Sequence, residues 1–217
     1  MKNKPFYVSI SGNIGAGKTT SARMIAQRFD GESYHESIGY ENDQLTQFYA
    51  NKKQNSFKFQ VYLLDKRMGQ QIAITTKQNG TLIVEDRTLY EDLIFAEILL
   101  ADHDMAEDQF NIYTDLHTKV ADLLQKPDMI IHLDTTPEMC LERIQNRGRE
   151  CEKGITIEYL QKLDEGYKRF IPRMVNLGIP VKVIHYNNFT AISSIFEEIE
   201  HLLATKPLKT DVHYTNI

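Results

Sequence analysis

The chain has 217 residues, of which 25 are Lys or Arg and 30 are Asp or Glu, so its formal net charge is −5. This length suits one domain that buries its own core, and the acidic balance argues against a wide basic surface for a nucleic acid polymer. No stretch approaches the ~20 apolar residues that cross a bilayer. We therefore predict a cytoplasmic protein with no membrane partner, in which Cys140 and Cys151 are free thiols.

Short apolar runs alternate with longer helical patterns along the chain. The runs are Phe6–Ile10, Leu82–Val84, Met129–Leu133 and Val181–Ile184, with a weaker one around Tyr34. Runs of this kind, separated by helices, predict βαβ units and a five-stranded parallel sheet flanked by helices.

The helices are predicted from periodic apolar residues and from end signals. They cover 56 to about 78, 137 to about 146, 156 to about 176, and a segment carrying Ile192, Ile195, Phe196, Ile199 and Leu203, with Thr190 as its N-cap. We expect one domain over residues 1–205 and a polar C-terminal tail over 206–217.

A glycine-rich segment directly follows the first predicted strand. Residues Gly12 to Thr19 match the pattern G-x-x-x-x-G-K-[ST] and open a helix, which is the context that a phosphate-binding loop requires. Backbone N–H groups would hold the phosphates, Lys18 would reach the β- and γ-phosphates, and the Thr19 hydroxyl would bind Mg²⁺. The predicted nucleotide-binding residues are Gly12, Asn13, Ile14, Gly15, Ala16, Gly17, Lys18, Thr19 and Thr20. The alternative is a glycine-rich turn that only joins strand to helix.

Three arginines lie within seven residues near the end of the helix that begins at Pro137. Arg143, Arg147 and Arg149 could clamp a phosphoryl group during its transfer, or they could form a solvated basic helix end. After a phosphate loop, the clamp is favoured. The sequence thus predicts a three-layer P-loop kinase fold with an arginine-bearing lid over about residues 147–154.

Acidic residues follow two of the predicted strands. Asp86 ends the strand at Leu82–Val84, where the carboxyl ends of parallel strands face the ligand crevice. It could hold Mg²⁺ through water, and Arg87 could orient the acceptor. Glu36 follows the weak strand and could accept a proton from an acceptor hydroxyl. The alternatives are a helix-capping cluster at 86–88 and a surface glutamate at 36.

A regulatory GTPase is a competing class for a protein with a phosphate loop. Such a protein normally carries an N-K-x-D guanine reader, which this sequence lacks. A small-molecule kinase fits the paired lid arginines better.

The ordered set of motifs resembles the deoxyribonucleoside kinase family, which includes deoxyadenosine, deoxyguanosine and deoxycytidine kinases. The resemblance extends from Phe6 to about Phe189. It is carried by the phosphate loop, Glu36, Phe48-Tyr49, Phe59-Gln60 through Arg67, Asp86-Arg87-Thr88 with Asp92, and Arg143 to Glu152.

This resemblance implies a role for each matching position. Glu36 is similar to the general base that takes the 5′-hydroxyl proton, and Arg87 to its partner. Tyr49 and Glu152 resemble the pair that grips the 3′-hydroxyl, and Gln60 resembles the reader of the base. Arg67 and Asp92 resemble the charged pair at the far end of the base pocket.

The Arg67–Asp92 pair bears on the choice of base. In this family such a pair accompanies kinases for deoxycytidine and purine deoxynucleosides, and an Asp can accept from an exocyclic amino group. The stretch from Glu36 to Tyr49 resembles microbial deoxyadenosine and deoxyguanosine kinases, and we favour deoxyadenosine among the three. Ser37, Asp86 and Cys151 depart from the family pattern, which has Pro, Glu and an acidic residue at these positions in many members.

The expected function is transfer of a phosphoryl group from ATP, with Mg²⁺, to a deoxyribonucleoside in nucleotide salvage. One alternative is a nucleoside monophosphate kinase such as thymidylate kinase, although carboxylates at the acceptor side would repel a monophosphate. Another is a non-catalytic subunit of a kinase heterodimer. The resemblance implies a homodimer through helices after Tyr90 and Phe110, and leaves a heterodimer open.

Overall fold

The structure, a computed structural model, describes residues 6–35, 43–77, 81–187, 192–205 and 212–215. Two predictions fall outside these ranges: Glu36 as the general base, and Thr190 as the N-cap of the last helix.

Within the described ranges, six strands form a single parallel sheet. They are β1 (Phe6–Gly12), β2 (Glu32–Tyr34), β3 (Leu82–Asp86), β4 (Met129–Asp134), β5 (Val181–His185) and β6 (Val212–Thr215). Their order is β2-β3-β1-β4-β5-β6, and every adjacent pair is parallel. The five parallel strands expected from the sequence are therefore present, with β1 in the middle.

The structure places a sixth strand within the segment that the sequence predicts to be a polar C-terminal tail. Within 206–217, residues 212–215 pair with β5, and Val212 lies opposite Val181. A four-residue edge strand that contains His213 and Thr215 has no apolar run, so the sequence pattern gave no indication of it.

Eight α-helices connect the described strands. They are α1 (Lys18–Arg28), α2 (Asp43–Ala50), α3 (Lys52–Thr75), α4 (Asp92–Ala101), α5 (Glu107–Leu123), α6 (Pro137–Arg147), α7 (Ile157–Asn176) and α8 (Ile192–Thr205). Short 3₁₀ turns cover Leu89–Glu91 and Glu150–Glu152. No helix in the described ranges is long and apolar enough to cross a membrane.

Helix α3 begins four residues before the predicted start. The Asn51 side chain accepts a hydrogen bond from the Gln54 backbone N–H at 3.1 Å and caps the helix there. The cap places one extra turn of helix before Ser56, the predicted start.

Helices cover both faces of the sheet. Val8 belongs to the apolar cluster that contains Ile25 of α1. Its neighbour Tyr7 points to the opposite face, where Gln71 of α3 donates to its hydroxyl. Helix α8 buries Ile195 and Ile199, and its Phe196 ring lies 6.0 Å from the Phe29 ring just after α1.

Helices α4 and α7 approach each other closely at a glycine. A Cβ atom added at Gly166 of α7 would lie 2.3 Å from Cγ2 of Ile94, which is buried in α4. Because Ile94 is branched at Cβ, this methyl group cannot swing away as the end of a flexible chain could. The contact fixes α7 against α4.

We expect Gly166→Ala to lower the free energy of unfolding by about 1–3 kcal/mol, because the new methyl overpacks the contact with Ile94. Gly69→Ala is the matched control: Gly69 is also inside a helix, but nothing lies within 4 Å of its Cβ position. Gly69→Ala should raise the free energy of unfolding by about 0.5–1 kcal/mol, because alanine loses less backbone conformational entropy than glycine on folding. Urea unfolding of both variants checks the opposite signs, and equal effects would contradict the packing argument.

Candidate active site

The phosphate loop joins β1 to α1. Gly15 has φ +83°, and a Cβ atom there would lie 2.5 Å from the carbonyl oxygen of Cys140, so glycine is required on both counts. Helix α1 begins at Lys18, and no side chain caps its N-terminus at Gly17. The loop and the uncapped helix end together provide N–H groups for an anion.

Two side chains of the loop are already in contact with neighbours. The Lys18 ammonium is buried and donates to the carbonyl oxygens of Gly12 and Asn13, each at 2.8 Å. The Thr19 hydroxyl donates to the carboxylate of Asp86 at the end of β3. The structure thus brings together the two residues that the sequence predicts as magnesium ligands.

Arg87 follows Asp86 with an unusual backbone conformation. Its φ is +75°, and its N–H donates to the carbonyl oxygen of Ile10 at 3.0 Å. The guanidinium Nη1 lies 3.2 Å from both Glu91 Oε2 and the hydroxyl of Tyr167, and the group packs over the Phe95 ring. These contacts hold the buried Arg87 guanidinium in one position.

The carboxyl group of Glu91 is fully buried beside Arg87. Burial raises its pKa, while the charges of Arg87 and Lys18 and the hydrogen bonds from Tyr167 and the Thr88 N–H oppose that rise. Sequence reasoning missed both Glu91 and Tyr167. The spacing of four residues between Arg87 and Glu91 was a usable local signal, but Tyr167 lies 80 residues from Arg87 and had none.

The three predicted clamp arginines are divided between two sets of partners. Arg143 donates to the carbonyl oxygens of Ala16 and Tyr186 at 3.1 Å. Arg147 donates to both carboxylate oxygens of Glu152 at 2.6 Å, and Arg149 donates to one of them at 3.4 Å. Arg147 and Arg149, which the sequence predicts to bind phosphate, are therefore paired with Glu152, which the family resemblance assigns to the 3′-hydroxyl.

Gly148 ends α6 in the left-handed conformation, immediately before these lid contacts. The segment that follows also approaches Tyr49 of α2. Burial raises the pKa of the Tyr49 phenol to about 12, and the nearby Cys151 and Glu152 add to the rise. No hydrogen bond joins Tyr49 to Glu152 in the described contacts, but both line the same cavity.

One cavity of about 650 Å³ joins the phosphate loop to the residues predicted for the acceptor. Tyr49, Gln60, Arg67, Arg87 and Glu152 line it together with Lys18 and Thr19. Its apolar wall includes the stacked rings of Phe48 and Phe59, with centroids 4.7 Å apart.

Gln60 and Arg67 lie on the buried face of α3, two helical turns apart. Gln60 is 2% exposed, and its Oε1 atom has no hydrogen-bond partner among the described residues. Arg67 Nε lies 2.7 Å from the Asp92 carboxylate, and both side chains are buried. Arg67 lines the cavity and Asp92 supports it from outside the lining. A buried, unpartnered amide oxygen is an acceptor available to a ligand.

The acceptor side also includes a residue that sequence reasoning missed. Arg23 of α1 lines the cavity and donates from Nε to Nε2 of His35 at 3.3 Å. His35 directly precedes Glu36, so this contact ties α1 to the end of β2. A single Arg in a helix gave no sequence signal for it.

A buried carboxyl group lies next to Asp86 on the opposite face of the sheet. Glu85 accepts hydrogen bonds from the hydroxyl of Tyr7 and from the amides of Gln70 and Gln71, the amides at 3.0 and 2.8 Å. Burial raises the pKa of Glu85 to about 7, although these hydrogen bonds oppose the rise. The group ties β1 and β3 to the helix that carries Gln60 and Arg67.

With this geometry described, comparisons with known proteins identify the family. Residues 8–206 match the family model described as deoxynucleoside kinase. The chain belongs to the deoxynucleoside kinase family and is a phosphotransferase.

Relatives with assigned names support the same family. The chain is 39% identical over 183 residues to a deoxyadenosine kinase from Dictyostelium discoideum, covering 84% of this chain and 73% of that one. It is 33% identical over 206 residues to a deoxyguanosine kinase from Bacillus subtilis, covering 92% and 96%.

A solved structure agrees in fold. A deoxyadenosine kinase from M. mycoides, with the product dCMP and a flexible dCDP bound, superposes with a TM-score of 0.80 at 29% identity. The match covers 90% of this chain and 99% of that one. The predicted P-loop kinase fold and the predicted family are both confirmed.

We expect the buried Glu85 carboxyl to make stability depend on pH. Its pKa is about 7 in the folded protein, against an ordinary value of 4.5. The folded state therefore holds this proton more tightly, and its contribution to stability, about 3 kcal/mol, is present below pH 4.5 and lost as the pH rises to 7.

Chemical unfolding of the wild type and Glu85→Gln between pH 4.5 and 7.5 measures this contribution. The difference in unfolding free energy between the two should shift in favour of the variant as the pH rises. Glu138→Gln, which removes an exposed carboxylate, is the control for the loss of one negative charge. Parallel curves for the wild type and Glu85→Gln would contradict the assignment.

Proposed function

We propose that the protein transfers the γ-phosphate of ATP to the 5′-hydroxyl of a deoxyribonucleoside, with deoxyadenosine preferred. The observation that carries the proposal is the single cavity in which the phosphate loop faces the buried Gln60 and Arg67. A nucleoside placed on these two residues would direct its sugar toward Arg87 and the phosphate loop.

The preference for an amino-bearing base is supported by the chemistry of the pocket. The Gln60 amide offers both a donor and an acceptor, and its free Oε1 suits the exocyclic amino group of adenine. The Arg67–Asp92 pair adds a buried carboxylate at the same end. The 39% identity to a deoxyadenosine kinase favours adenine, while the deoxyguanosine kinase relative keeps guanine as the second candidate.

We assign Glu36 as the base that takes the 5′-hydroxyl proton and Arg87 as the group that orients the acceptor oxygen. Lys18 and the lid arginines would neutralise charge on the transferring phosphoryl group. For Arg147 and Arg149 this requires exchange of Glu152 for phosphate. Glu152 would then be available to the 3′-hydroxyl beside Tyr49.

The residues present fit a magnesium ion bound with the nucleotide. A hydroxyl and a carboxylate in contact, from Thr19 and Asp86, supply oxygen ligands of the type that Mg²⁺ prefers. When bound, Mg²⁺ would neutralise phosphate charge during transfer. We keep nucleotide salvage in the cytoplasm as the proposed setting.

A homodimer is the proposed assembly. Three large apolar side chains, Ile112, Leu116 and Leu123, are exposed on one face of α5. Their spacing of four and seven residues places them on a common stripe that a second copy could cover. Helix α5 is one of the helices through which the family resemblance implies a homodimer.

A panel of acceptors with Mg²⁺ and ATP tests the proposed reaction. We expect kcat/KM to be highest for deoxyadenosine, lower for deoxyguanosine and deoxycytidine, and lowest for thymidine, whose base carries no amino group. The release of ADP measures each rate. Turnover of thymidine monophosphate without turnover of any nucleoside would establish the monophosphate kinase alternative instead.

We expect Glu36→Gln to lower kcat by about 10²–10⁴-fold, because an amide cannot accept the 5′-hydroxyl proton. Substrate KM should change little, since the shape of the side chain is kept. Glu32→Gln, which alters a half-exposed carboxylate in β2, is the matched control. A full rate in Glu36→Gln under steady-state assay would remove Glu36 from this role.

A further inference from the structure

One buried tyrosine lies between the phosphate loop and Arg87. Tyr167 projects from α7, and its ring packs against His132 with centroids 5.1 Å apart. Its hydroxyl lies 2.7 Å from the carbonyl oxygen of Gly12, 2.6 Å from Glu91 Oε2 and 3.2 Å from Arg87 Nη1. The hydroxyl thus contacts the donor side and the acceptor side of the site at once.

A phenol has one proton to donate. The Gly12 carbonyl can only accept, and the Arg87 guanidinium can only donate. We take Glu91 as ionised, since Arg87 pairs with it and the Thr88 N–H also donates to it. The Gly12 carbonyl and the Glu91 carboxylate therefore compete for the single Tyr167 proton.

Lys18 affects which acceptor takes the Tyr167 proton, because it donates to the same Gly12 carbonyl oxygen. Its ammonium donates to the Gly12 oxygen at 2.8 Å. While that bond is made, the Tyr167 proton is available to Glu91. When a triphosphate draws Lys18 away, the buried Gly12 carbonyl loses a donor, which is unfavourable unless another takes its place. The Tyr167 hydroxyl is already at the required distance.

We propose that Tyr167 is a positioning residue that couples triphosphate binding to acceptor binding through its single hydroxyl proton. With triphosphate bound, Tyr167 donates to Gly12, and the Glu91 carboxylate turns fully to Arg87. Arg87 is then fixed at the cavity wall before the nucleoside arrives, so the nucleoside binds more tightly. The inference rests on the proposed function, because it takes the phosphates of ATP as the partner of Lys18.

Calorimetric titration measures the coupling directly. The deoxynucleoside with the highest kcat/KM is titrated into the protein with and without Mg²⁺ and a non-hydrolysable ATP analogue. In the wild type, we expect the analogue to tighten nucleoside binding by about fivefold, the effect of one hydrogen bond. Linkage requires the nucleoside to tighten analogue binding by the same factor, which is a second measurement of the same quantity.

Tyr167→Phe keeps the ring on His132 and removes only the hydroxyl. We expect both ligands still to bind, with a coupling factor close to one. A purely structural role for Tyr167 would lower the melting temperature and leave the factor unchanged. Glu91→Gln is the second variant: it removes the charge that Arg87 and Tyr167 share, and it should also abolish the coupling.

Tyr90→Phe is the matched control. Tyr90 is another buried tyrosine, and its hydroxyl makes no hydrogen bond within the described part of the chain. This variant should keep the wild-type factor. The inference would be overturned, and the proposed function left standing, if the wild type had a coupling factor of one. The same holds if folded Tyr167→Phe or folded Glu91→Gln kept the coupling factor of the wild type. A wild type that binds no triphosphate would overturn the proposed function and the inference with it.

Discussion

The parallel pairing of β1 with β3 is the constraint on which the site depends. Ile10 lies opposite Asp86, and the Arg87 N–H donates back to the Ile10 carbonyl oxygen. This register places the start of the phosphate loop beside the end of β3, so Thr19 contacts Asp86 and Arg87 lines the cavity. A shift of one residue would turn Asp86 to the opposite face of the sheet, where Glu85 now lies.

Two buried arginine side chains each form an ion pair with a buried carboxylate. Arg67 is paired with Asp92, and Arg87 with Glu91, all with buried side chains. Removal of one partner would leave an isolated charge in the interior, which is far costlier than losing a pair at the surface. Such pairs hold side chains in one orientation, and both arginines line the cavity.

The sequence predicted what depends on local pattern and on ordered motifs. The phosphate loop, the five strands and the ends of α6 and α7 follow from apolar periodicity, glycine spacing and caps, whereas no bounds were predicted for α2, α4 and α5. Gln60, Arg67 and Asp92 were found through the order of family motifs, and the structure places the first two in one cavity with the loop.

What the sequence did not predict depends on tertiary contacts. Tyr167 reaches Gly12 across 155 residues, and Arg143 reaches Ala16 across 127. No local pattern encodes either contact. The pairing of Arg147 with Glu152 spans only five residues, but it depends on the left-handed turn at Gly148 and on the 3₁₀ turn after it. The roles of the predicted residues stay predictions, and Glu36 lies outside the described ranges.

Glu152 would have a kinetic consequence for the proposed reaction, because its carboxylate accepts hydrogen bonds from both Arg147 and Arg149. In the proposed reaction, a triphosphate that binds Arg147 and Arg149 would have to displace a carboxylate that lies 2.6 Å from Arg147 and 3.4 Å from Arg149, so the net gain from each new contact would be smaller than the contact itself. The same carboxylate would recapture the arginines as the spent nucleotide departs. An internal competitor of this kind would weaken the binding of products and favour rapid turnover, at the expense of tight resting binding.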